Sequence, residues 1–157
     1  MNRIALFADV QNIYYTTRQA FGRQFDYRKL FERVAGKGDI VVANAYAIDR
    51  GDDKQRRFQQ ALRDIGFDVK LKPFIQRSDG TAKGDWDVGI AIDVMDAARD
   101  VDTVVLLSGD GDFDLLLDRI KANYAVATEV YGVPALSANS LIEAASVWHA
   151  IDRTLLL

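Results

Sequence analysis

The sequence predicts a single α/β domain, a three-layer α/β/α sandwich around a central, mainly parallel, five-stranded sheet. Short, continuously apolar runs such as Ile4 to Ala8 and Val104 to Leu107 suit strands covered on both faces. Segments with apolar residues at helical spacing alternate with these runs, which implies parallel crossovers. No repeat or linker divides the 157 residues, so 1–157 reads as one domain.

Each element follows from local chemistry. Ile4 to Ala8, ending at Asp9, is strand one, and Asn12 is a favoured N-cap for a helix running to Ala20 before the Phe21-Gly22 break. Asp26 opens a second helix through Leu30, Phe31 and Val34, stopped at Gly36-Lys37-Gly38. Ile40 to Ile48, rich in Val and Ala, is strand two. Asp52 and Asp53 start a charged helix with Phe58, Leu62 and Ile65 on one face, ended by Gly66, and Phe67 to Pro73 is strand three. The polar, Gly-punctuated stretch from Gln76 to Gly84 reads as an exposed loop. Asp87 to Ala98 is apolar at most positions and predicts a helix wedged deep in the structure. Val101 to Leu107 is strand four, followed by the loop Ser108-Gly109-Asp110-Gly111 and an amphipathic helix from Asp112 to Ala122. Ala125 to Tyr131 is strand five, Leu136 to Ala145 a closing helix, and Val147 to His149 a candidate for a short extra edge strand.

Composition narrows the function classes. With 49% hydrophobic and 27% charged residues the chain has the make-up of a folded domain rather than a disordered one. Its apolar runs fall far short of the roughly 20 residues that cross a bilayer, so no membrane role is expected. The start runs from Met1 straight into strand one with no small-residue cleavage site, and with no Cys there is no disulfide framework or thiolate metal site. A cytoplasmic protein is expected. The net charge of -3 argues against nucleic acid until the acids are located. Setting aside Asp9, Asp85, Asp87, Asp93, Asp110, Asp112 and Asp114 leaves 16 acidic against 20 basic residues, so the remaining surface is net positive.

Open α/β sheets bind ligands beyond the carboxyl ends of their strands, which directs attention to polar residues there. Strand one ends in Phe7-Ala8-Asp9-Val10-Gln11-Asn12, and strand four in Ser108-Gly109-Asp110-Gly111-Asp112-Phe113. If these strands are neighbours, their carboxylates converge on one crevice. A third contribution comes from Lys83-Gly84-Asp85-Trp86-Asp87-Val88, with Asp87 at a helix start. Aspartates packed together repel one another unless cations or raised pKa values relieve them. Oxygen ligands select Mg²⁺ or Mn²⁺, which retain waters and take up phosphate oxygens, so the pattern points to phosphoryl chemistry. Taken singly, Asp9, Asn12, Asp87 and Asp112 also read as caps or turn residues. Asp85 and Asp114 read as solvated. Asp93 lies six residues beyond Asp87, about 120° round and about 9 Å along the helix, and is a secondary acidic position. Trp86 reads as a core anchor or as a stacking surface for a base, and His149 as structural. The tail Leu155-Leu156-Leu157 is read as structural, with a homodimer contact as the alternative.

On these three segments the sequence resembles, over nearly the whole chain, the NYN domain family, its LabA-like branch in particular, within the PIN-like nuclease superfamily. Phe7 to Asn12 is similar to the family's opening aspartate-and-asparagine motif, Lys83 to Val88 to its Lys-Gly-to-Asp-Val segment, and Ser108 to Phe113 to its Ser-Gly-Asp-Ser-Asp-Phe loop, with Gly111 in place of the usual Ser. The resemblance implies Asp9, Asp87 and Asp110 as principal metal ligands assisted by Asp112, with Asn12 and Ser108 at the site edge. Asp93 matches a commonly acidic helix position. It further implies metal-dependent endoribonuclease activity with Mg²⁺ or Mn²⁺ on RNA, single-stranded or structured. Candidate phosphate contacts are Lys83, Arg77 and Arg50, with Lys54, Arg56 and Arg57 nearby. One alternative is a non-catalytic regulator that binds RNA or protein through the same cleft. Another is a haloacid-dehalogenase-like phosphatase, suggested by Gly109 to Asp112 and opposed by Val10 and Gln11, since that chemistry needs a second Asp two residues after the first.

Overall fold

The computed structural model describes the backbone of residues 2–73, 75–76, 82–83 and 85–157, and the side chains of 2–72 and 85–157. Six parallel strands form the main sheet: β1 (Arg3–Asp9), β2 (Asp39–Asp49), β3 (Asp68–Pro73), β6 (Thr103–Leu107), β7 (Ala127–Gly132) and β8 (Val147–Ala150), in the order β3-β2-β1-β6-β7-β8. A two-stranded antiparallel ribbon, β4 (Ile75–Gln76) with β5 (Ala82–Lys83), lies apart from it. The expected five strands become six because Val147–Ala150 pairs in parallel with Glu129–Gly132 of β7. As an edge strand with no fully buried residue, β8 lacks the continuous apolar run that marks a central strand.

Chain alternation sorts the core into two layers. Along β1, Ile4, Leu6 and Ala8 face α1 (Val10–Phe21), α2 (Tyr27–Ala35) and α3 (Asp53–Ile65), which contribute Val10, Ile13, Leu30, Val34 and Leu62. Ala5 and Phe7 face the other way, into Ile90, Val94, Leu117, Ile120 and Leu141 from α4 (Asp87–Ala98), α5 (Asp114–Tyr124) and α6 (Asn139–Ala144). This is the side-chain period of two expected of a strand buried on both faces. Leu155 and Leu156 of the tail pack into the first layer of their own chain, and only Leu157 is exposed.

Several local expectations shift. The N-cap of α1 is Asp9, whose carboxylate accepts the backbone N–H of Asn12, so the helix starts earlier than Asn12 would start it. Asn12 is thereby released for a different task. The stretch after Asp110 is a 3-10 turn (Gly111–Phe113) leading into α5, and the closing helix divides into a 3-10 turn (Pro134–Leu136) and the short α6. Helix α4 keeps its expected bounds but is not wedged deep: Ile90, Val94 and Ala98 are buried, whereas Val88 and Ile92 are 71% and 56% exposed. It covers one face of the sheet, and nothing among the described residues covers its outer side. The Leu106 side chain, fully buried on β6, tests this layering. Leu106→Ala is expected to lower stability by about 2–5 kcal/mol in denaturant unfolding without altering the folded circular-dichroism spectrum.

Candidate metal centre

Strand order reverses between β1 and β6. From β1 the chain builds outward through β2 and β3, then returns to lay β6 against the other side of β1. The register sets Ala8 opposite Leu107, so Asp9 and Ser108 emerge as neighbours at the carboxyl edge. Such a switch point opens a crevice, and the carboxylates collect there.

A hydrogen-bond frame holds the loops in place. The buried Ser108 hydroxyl donates to Asp9 Oδ2 at 3.0 Å and accepts the Asp110 N–H at 3.1 Å. Asn12 Oδ1 accepts the Gly109 N–H at 2.9 Å, clasping α1 to the β6 loop. Asp110 Oδ1 accepts the Asp112 N–H at 2.9 Å, which turns the chain so that both carboxylates point the same way. Gly109 is packed so closely that a Cβ there would lie 2.7 Å from Ser137 Oγ and 3.0 Å from the Leu136 carbonyl oxygen. On the opposite wall, Asp85 Oδ1 accepts the Asp87 N–H at 3.2 Å. The adjacent Trp86 donates its indole N–H to the Ala47 carbonyl at 2.9 Å and packs on Tyr46, with the Lys72 ammonium 4.5 Å from the ring centroid. Trp86 is thus the core anchor that sets where α4 begins.

Carboxylate oxygens of Asp87, Asp110 and Asp112 all come within 4.8 Å of one another. Oxygen ligands of a hard divalent ion sit about 2.1 Å from it, and neighbouring ones stand about 3 Å apart, so the three carboxylates would draw inward to hold one. The all-oxygen donor set fits such an ion. Asp9 stands just behind this trio, within electrostatic reach of Asp87, its own oxygens occupied by Ser108 and the Asn12 backbone.

Crowding raises the acids' proton affinity. Burial chiefly, then the nearby Asp110 and Asp85, pushes Asp9 up to about 6, although its hydrogen bonds from Ser108 and Asn12 pull the other way. Asp87 is pushed up to about 7, by burial first, then by a carboxyl of Asp110 close enough to share a proton, then by the charges of Asp110, Asp85 and Asp9.

The sequence-picked residues divide accordingly. Asp9, Asp87, Asp110 and Asp112 share one neighbourhood. Asn12 and Ser108 meet the loop backbone rather than an open edge. Asp93 is engaged elsewhere, accepting the Tyr46 hydroxyl at 2.7 Å and pairing with Lys70 at 3.2 Å, as its turn around α4 from Asp87 would place it. Arg50 follows β2, its N–H donating to Gln55. Arg77 and the side chain of Lys83 lie outside the described residues. Asp85, set aside in the sequence as solvated, is exposed as expected yet close enough to raise both Asp9 and Asp87. Its signal is the Asp-X-Asp spacing at a helix start, where the first carboxylate takes the N–H of the second.

The chain matches the NYN domain family over residues 3–152. It belongs to that family. Low amplitude and bright protein LabA of Synechococcus elongatus is 32% identical over 137 residues, 82% of this chain and 73% of that protein. A crystal structure of a protein of unknown function from Vibrio parahaemolyticus is 51% identical, covers 99% of this chain and 96% of its own, and superposes with a TM-score of 0.95. The α/β fold with a parallel sheet is thus that of a PIN-like NYN domain, a nuclease family, and the three motif segments fall within the matched span.

The raised acids carry a pH signature. Ionising Asp9 against a rise from 3.8 to about 6 costs the metal-free folded state about 3 kcal/mol. The unfolded chain gives up this proton first, so stability falls as pH climbs from about 4 to about 7. Thermal melts in chelator should show a lower midpoint at pH 8 than at pH 5, with a smaller drop for Asp110→Asn, which removes one of the repelling charges. Mn²⁺ at pH 8 should raise the wild-type midpoint more than that of the variant.

Proposed function

We propose that this NYN domain is a metal-dependent nuclease, an endoribonuclease that hydrolyses phosphodiester bonds with Mg²⁺ or Mn²⁺. The observation that carries the reading is the meeting of Asp87, Asp110 and Asp112 oxygens within 4.8 Å at the switch point of a family of PIN-like nucleases. Bound there, a divalent ion would supply a more acidic water and neutralise charge developing on the phosphate and leaving oxygen.

The protein's part is positional. Asp87, Asp110 and Asp112 would hold the ion, and RNA phosphate oxygens would complete its ligand set. Ser108, Asn12 and Asp9 keep Asp110 and Asp112 oriented, and Trp86 fixes the start of α4 and with it Asp87. Asp93 plays no direct part, since Tyr46 and Lys70 occupy it.

Asp110→Asn and Asp87→Asn are expected to lower Mn²⁺-dependent cleavage of single-stranded RNA by at least about 100-fold while leaving the fold intact. Asp93→Asn should stay within a few-fold of wild type. Cleavage by Asp110→Asn equal to wild type would remove the nuclease reading. RNA binding without cleavage would favour the non-catalytic regulator, and phosphate release from small phosphomonoesters the phosphatase.

A further inference from the structure

Helix α1 begins at the carboxylate site and carries an aromatic strip away from it. Asp9 caps the helix, Asn12 reaches across to Gly109 from the first turn, and the next turn presents Tyr14 and Tyr15, 45% and 51% exposed. Their rings meet edge to face at 5.3 Å and 79°. One turn further, Arg18 Nη1 donates to the Tyr14 hydroxyl at 2.5 Å, with its guanidinium carbon 5.8 Å from the Tyr14 ring centroid. Asp9 to Arg18 spans about 13 Å of helix, at 1.5 Å per residue.

Packing does not account for these side chains. The core-facing positions of α1 are Val10, Ile13 and Thr17, which close the layer without either tyrosine. Another exposed ring, Phe58, packs on Tyr27 at 5.8 Å. Tyr14 and Tyr15 meet each other and Arg18, and each keeps about half its surface in water.

Charge adds a second, independent argument. Residues 10–25 include Arg18 and Arg23 and no acidic residue, in a chain of net charge -3 whose aspartates crowd the neighbouring crevice. A polyanion drawn to that crevice is repelled by the carboxylates, so part of its affinity must come from groups alongside. An acid-free helix face with two open aromatic rings and a tethered guanidinium offers stacking and phosphate attraction together.

We propose that Tyr14, Tyr15 and Arg18 form a stacking platform for single-stranded RNA, holding the bases next to the phosphodiester bond that lies over Asp87, Asp110 and Asp112. The platform shares its substrate with the nuclease reading and rests on it for direction, yet its binding can be measured without catalysis. Stacking on tyrosine tolerates any base, so affinity depends on strand accessibility more than on sequence. Arg18, held by Tyr14 and with N–H groups to spare, meets a phosphate or covers a base face.

Binding of a short fluorescein-labelled single-stranded RNA is measured by anisotropy in chelator, for the wild-type chain and surface variants checked by circular dichroism. Tyr15→Ala and Tyr14→Ala should each raise Kd by roughly 5-fold to 150-fold, the range of losing one stacked base. Tyr15→Phe should keep wild-type affinity, and Arg18→Gln should weaken binding and flatten its dependence on salt. Unchanged affinity in the Tyr14→Ala/Tyr15→Ala double variant overturns the platform, as does a wild type that binds only duplex. A change of sedimentation coefficient in that double variant, without change in RNA affinity, assigns the face to contacts between copies and also overturns it. Cleavage of the same RNA in Mn²⁺ separates the two readings. Tyrosine-dependent binding with no cleavage upholds the platform and removes the nuclease, and cleavage indifferent to the tyrosines does the reverse.

Discussion

Parallel pairing of β1 with β6 is the constraint from which the site follows. Setting Ala8 opposite Leu107 places the last residue of one strand beside the first loop residue of the other, so Asp9 meets Ser108 across a single strand spacing. The pairing is itself held by burial, since Ala5 to Ala8 and Val104 to Leu107 are almost wholly inaccessible to water. A slip of one residue would turn every one of these side chains to the wrong layer. The hydrophobic core thus sets the position of the polar site.

That site works against the fold that carries it. Asp9 is nearly buried, Asp87 faces Asp110, and both take up protons more readily than free aspartates do. Evolution toward stability alone would replace one of these acids. Neutral hydrogen bonds partly compensate: the Ser108 hydroxyl and the Asn12 N–H stabilise the Asp9 carboxylate, and the Asn12 amide binds the Gly109 N–H. Even so, both acids keep a raised proton affinity, which a hard divalent cation would relieve.

Helix α1 joins these two themes. Its inner face belongs to the core, its first turn braces the β6 loop, and its outer face is open, aromatic and basic. The opposite wall differs in kind. There Trp86, Tyr46, Lys70 and Lys72 are engaged with one another or with Asp93 and the backbone, so that side is a buttress for Asp87.

The α/β class, the central strands and the candidate acids Asp9, Asp87, Asp110 and Asp112, which the fold brings into one neighbourhood, were all legible in the sequence. Continuous apolar runs, turn residues and acids at strand ends are local signals written within a few neighbouring residues. The sequence offered Val147 to His149 only as a candidate edge strand, and its pairing with Glu129–Gly132 was decided in space, as was the one-sided burial of α4, whose Val88 and Ile92 are exposed. Likewise Asn12 could be read as a cap, yet Asp9 took the cap and Asn12 turned to Gly109, ninety-seven residues away in the chain. Asp93 and Asp87 are chemically alike and occupy one helix. Only the packing of α4 against the sheet delivered Asp93 to Tyr46 and Lys70 and Asp87 to Asp110, because a helix turn sends their side chains to different neighbours.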